Sequence, residues 1–125
     1  MGTCYKGNSK TYRSIGQNIL ITSSTYSYKD GYFGEVSPST GSKTRNIASL
    51  DNIATARDFY NKIAYGGTET IYKNGSMKIT NMADGTVITW RLTSHSDGTS
   101  VVEINISSSS HTGGVKQQKI HFIKE

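Results

Sequence analysis

The chain has one cysteine, Cys4, and one proline, Pro38, in 125 residues. A single thiol forms no internal disulfide, and it excludes the cysteine-rich zinc ribbons and iron–sulfur sites. Cys4 reads as a spectator near the terminus rather than as a reactive thiol. No apolar run reaches the about 18–20 residues of a membrane span. The opening MGTCYKGNSK carries no apolar stretch of a secretory signal. Lys6 stands where the myristoylation pattern asks for Ser or Thr. HExxH, GxGxxG, GxxxxGK[ST] and GxSxG are all missing, so neither a zinc site, a nucleotide cofactor nor a nucleophile elbow is expected. Acidic residues are also few, 9 against 14 Lys and Arg, and the pI is about 9.4.

Gly, Ser, Thr, Asn and 8 tyrosines fill the composition, while hydrophobic residues reach only 34% and mean hydropathy is −0.50. The length suits one domain, residues 1–125. The positive charge lies toward the N-terminus. Residues 1–48 hold Lys6, Lys10, Arg13, Lys29, Lys43 and Arg45 against Asp30 and Glu35. The rest of the chain is close to balance. A basic surface of this kind prefers polyanions or an acidic partner.

Three parts are expected. Residues 1–48 read as an irregular basic part, in which Tyr5, Tyr12, Tyr26, Tyr28, Tyr32 and Phe33 alternate with polar residues. Ile19-Leu20-Ile21 is its best strand candidate. Residues 49–67 read as a helix with Ser49 as N-cap and Asp51 in the first turn. Ile53, Ala56, Tyr60 and Ile63 would form its buried stripe, and Gly66-Gly67 its stop. Residues 68–124 read as a β-meander with turns at Asn74-Gly75, Asp84-Gly85 and Ser96-Asp97-Gly98. The fold class is α+β: an N-terminal helical or irregular part packed on a four- to five-stranded antiparallel meander.

Period two assigns the faces of the last strands. Ile88, Trp90 and Leu92, then Val102, Ile104 and Ile106, then Ile120 and Phe122 share the core face. Thr89, Arg91, Thr93, Glu103, Asn105, Gln117, Lys119 and His121 share the other. These residue types suit metal-independent RNA cleavage. A base takes the 2′-hydroxyl proton, an acid protonates the leaving 5′-oxygen, and cations hold the phosphorane. Glu103 or His121 could serve as base, His121 as acid, and Arg91 with Lys119 as the phosphate clamp. An open-faced sheet with scattered ion pairs, such as Arg91 with Glu103, accounts for the same residues. His95 lies in the Ser94–Ser100 turn and His111 in the Ser-rich Ser107–Gly114 loop. Neither has the spacing of a metal site or a triad.

The segment Ala56–Glu125 resembles the C-terminal toxin modules of bacterial polymorphic toxins, of contact-dependent inhibition, Rhs and LXG type. The resemblance rests on ARDFYNKIA from Ala56, DGTVITWR from Asp84, Ser96-Asp97-Gly98 with VEINI from Val102, and QKIHF from Gln118. Such modules are similar to the ribonucleases that join barnase, EndoU, tRNA-cleaving colicins and RelE-type toxins. That likeness implies a helical part behind an antiparallel sheet and catalysis on the exposed face. It implies catalytic roles for His121, Arg91, Thr93, Ser94, Lys119 and Glu103, with no metal and no cofactor. RNA, with tRNA expected, would be the substrate, cleaved to 2′,3′-cyclic phosphate and 5′-hydroxyl ends. Lys6, Lys10, Arg13, Lys43, Arg45, Asn105 and Gln117 would bind its backbone. A cognate immunity protein would cover the sheet face. The lack of a delivery segment fits a toxin tip that is carried out of the producing cell and acts in a competitor's cytoplasm. The alternatives are a non-catalytic module binding nucleic acid or protein, and a DNase, which would need a carboxylate-held metal.

Overall fold

The computed structural model describes residues 14–36, 43–94 and 98–124. Helix α1 (Ile15–Ser23) opens them, in place of the strand expected around Ile19-Leu20-Ile21. The physical reason is local. Ser14 accepts from the Gln17 amide while the Gln17 side chain accepts from the Ser14 amide, a complete capping box. Ile15, Asn18, Ile19 and Thr22 then recur at helical spacing and are buried. Leu20, the middle of the apolar run, is 73% exposed.

Next come a small hairpin, β1 (Tyr28–Lys29) with β2 (Tyr32–Phe33), and then β3 (Glu35–Val36) and β4 (Thr44–Ser49). Helix α2 spans Asn52–Ile63. Its N-cap is Asp51, whose carboxylate accepts from the Ala54 amide at 3.1 Å, and not Ser49. Ser49 is unavailable because it ends β4, paired with Lys124. The helix stops at Ile63, before Gly66-Gly67. Ala56, Phe59, Tyr60 and Ile63 are buried, whereas Ile53 is 41% exposed and Phe59 takes its place in the stripe.

The meander follows as expected: β5 (Thr68–Tyr72), β6 (Met77–Asn81), β7 (Val87–Arg91), β8 (Ser100–Asn105) and β9 (Gln117–Lys124). Its five strands are antiparallel in order. The sheet is nevertheless larger than a meander. β4 joins β9 in parallel and β3 joins β4, giving the seven-stranded order β3-β4-β9-β8-β7-β6-β5. The parallel pair needs a long crossover, which α2 and the meander supply.

Both helices pack on one face of the sheet. The core joins Ile15, Ile19, Phe59 and Ile63 to Ile88, Trp90, Val102, Ile104, Ile106, Ile120 and Phe122, with Leu92 at its margin. All eight sheet residues expected to face the core do so. Tyr26 and Tyr28 pack against this core rather than standing free.

Two buried amides fasten the N-terminal part. Asn18 donates to the carbonyls of Ile63 (2.9 Å) and Tyr65 (2.8 Å), closing the C-terminus of α2. Gln118 on β9 accepts from the Phe33 amide and donates to the Gly31 carbonyl, both at 2.9 Å, and so holds the small hairpin. Gly31 has φ +88°, and a β-carbon there would lie 2.2 Å from the Thr112 carbonyl oxygen. Only glycine fits that turn.

Candidate functional site

The polar face lies opposite the helices. Glu103 sits on β8 between Thr89 on β7 and Lys119 on β9, each its direct partner across the ladder. Its carboxylate is 3.6 Å from the Arg91 guanidinium and accepts from the Gln117 amide at 3.4 Å. Arg91 and Glu103 are both partly exposed, with side-chain exposures of 29% and 23%. Asn105 pairs with Gln117 two residues further along the same ladder, and both are exposed. The ion pair between Arg91 and Glu103 is thus present, with Lys119 directly across the ladder from Glu103.

His121 lies in the adjoining row. It pairs with Val101 on β8, as Arg91 does from the other side. The backbones of Arg91 and His121 are therefore two ladder steps, about 10 Å, apart. His121 is only 5% exposed, and its Nδ1 is 2.9 Å from the Thr99 hydroxyl. A hydrogen bond at Nδ1 fixes the ring's orientation.

Arg91, Thr93 and Ser94 come together with three residues that sequence reading did not select. A cleft of about 130 Å³ is lined by Lys73, Ser76, Met77, Arg91, Thr93 and Ser94. The β6–β7 pairing runs one step past its ladder, with the Leu92 amide donating to the Ser76 carbonyl at 2.9 Å. That step sets the β5–β6 turn beside Thr93. Lys73 and Ser76 were missed because only the strand register brings that turn to Arg91. Thr99 was within reach: it shares the parity of Val101 and Glu103 and so faces His121's side.

The remaining candidates separate. Lys43 is exposed at the start of β4, where its carbonyl accepts from the Lys119 amide. Arg45 points away from the polar face, because it pairs with core-facing Ile120. Its guanidinium donates to the Gly34 carbonyl at 3.0 Å and lies 4.7 Å from the Tyr32 ring centre. Arg45 is thus a tie within the N-terminal part. Lys6, Lys10, Arg13 and His95 lie outside the described residues. His111 is exposed on a short 3-10 helix, Ser109–Thr112, against Gly16 of α1.

Among the described residues no group of three or more His, Cys, Asp or Glu could hold a metal ion. No helix among them is long and apolar enough to cross a membrane. Compared with protein-family models, curated proteins and solved structures, the chain matches none.

Proposed function

We propose that the chain is a metal-independent endoribonuclease acting as a growth-inhibiting toxin module. The observation that supports this most is Glu103, central on the polar face, with Lys119 across one ladder and Arg91 in ion-pair reach. In this reading the Glu103 carboxylate takes the proton of an RNA 2′-hydroxyl. The 2′-oxygen attacks phosphorus, and the bond to the 5′-oxygen breaks. The His121 imidazolium gives its proton to that leaving oxygen. Arg91 and Lys119 hold the non-bridging oxygens as charge builds on them. The products are a 2′,3′-cyclic phosphate and a 5′-hydroxyl. His121 is buried, so its surroundings beside Thr99 have to open for the proton to reach the substrate. The toxin would be delivered from a producing cell, act on tRNA in the cytoplasm of a competitor, and be blocked at home by a partner covering this face.

The burial of His121 favours one rival, a module that binds RNA or protein without cutting. Incubation of total bacterial RNA with the purified protein in EDTA separates the two. Cleavage to cyclic-phosphate ends by the parent, lost by about 10²-fold or more in Glu103→Gln and His121→Ala, is the expected result. Intact RNA with the parent, or full activity of both variants, removes the catalytic reading.

A further inference from the structure

The β5–β6 turn has an unusual backbone. Lys73, Asn74 and Gly75 follow one another at φ +52°, +56° and +90°. A lysine is disfavoured there, because its β-carbon crowds the carbonyl in the left-handed region. A turn needed only for its shape would be better served by glycine, which adopts this conformation freely. The lysine nevertheless lines the cleft that Arg91 shares with Ser76, Thr93 and Ser94. Two cations and three hydroxyl-bearing residues therefore surround a space of about 130 Å³. A water molecule's share of the liquid is about 30 Å³, so the cleft has the scale of a small polar group such as a phosphate.

We infer that this cleft is a phosphate seat for an RNA nucleotide next to the one whose bond is cut. Lys73 supplies a point charge, Arg91 a planar fork, and the exposed Thr93 hydroxyl a hydrogen bond to a phosphate oxygen, while the Ser76 hydroxyl donates to the Lys73 carbonyl at 2.9 Å and braces the turn. The inference rests on the ribonuclease reading for its choice of RNA. It extends that reading to a substrate contact away from Glu103 and His121. The Arg91 fork then spans two phosphates, the one being cleaved on its Glu103 side and the seated one in the cleft.

Lys73→Gly gives a test with two readouts of opposite sign. It removes the charge and relieves the left-handed strain, so the melting temperature should stay level or rise. Binding is measured with a 2′-O-methylated RNA oligonucleotide, which lacks the attacking hydroxyl and cannot be cut. Affinity should fall by about 3- to 10-fold, and the slope of log affinity against log salt should flatten by about 0.7, one phosphate contact on a single strand. Lys124→Ala, at the exposed end of β9, should leave that slope unchanged. Unchanged affinity and slope in Lys73→Gly overturn the seat, even where the parent cuts RNA. So does a parent that fails to bind the oligonucleotide at low salt. Lys73-dependent binding by a parent that leaves unmodified RNA intact keeps the cleft as an RNA phosphate seat and removes both the catalytic reading and the placement beside a cut bond.

Discussion

Arg91 Nη1 stands 3.6 Å from Glu103 Oε1, across neighbouring strands and two residues off direct pairing. The separation exceeds a hydrogen bond, and both groups remain in contact with water. Such a pair stabilises a fold by less than about 1 kcal/mol. A double-mutant cycle with Arg91→Ala and Glu103→Gln should give a coupling energy in that range by chemical denaturation. A coupling above about 2 kcal/mol would mean that the pair mainly supports the fold, which weakens its assignment to RNA.

Asn18 makes a different kind of contact. Its amide nitrogen serves two carbonyls near the end of α2, and the residue is 0% exposed. Asn18→Ala leaves both carbonyls without that donor and opens space between α1 and α2. The expected loss is about 2–3 kcal/mol in the denaturation free energy. Leu20→Ala, at an exposed position of the same helix, should cost under about 1 kcal/mol.

Stability should bend at both ends of the pH range. Asp58 is bonded by Lys62 at 2.7 Å and also by the Tyr26 hydroxyl, and these partners hold its carboxyl below the ordinary carboxylate value. Its stabilising effect is present above about pH 3.9, the unfolded value, and is lost as pH falls through the lower folded one. The carboxylate is half exposed, so Asp58→Asn should cost under about 1 kcal/mol at neutral pH and nothing in strong acid. Tyr60 shifts the other way. Burial, with the neighbouring Glu69 carboxylate, raises its phenol. That contribution is complete below about pH 10 and is lost as pH rises through the folded value. Tyr60→Phe should therefore lose less stability than the parent between neutral and strongly alkaline pH, as read by denaturant midpoints.

The sequence by itself determined the two faces of the meander. Alternation along β7, β8 and β9 separates Ile88, Trp90, Val102, Ile104, Ile120 and Phe122 from Arg91, Glu103, Lys119 and His121, because a strand turns successive side chains to opposite sides. Asn74-Gly75 and Asp84-Gly85 marked the turns for the same local reason, since few residue types accept left-handed backbone. Tertiary structure decided what depends on contacts distant in sequence. The parallel docking of β4 on β9 widened the sheet, and it sent Arg45 to the face away from His121. Ile19-Leu20-Ile21 went into a helix because a capping box and a buried stripe outweighed a short apolar run. The burial of His121 beneath its neighbours and the meeting of Lys73 with Arg91 depend on strand register, which no local pattern of residues specifies.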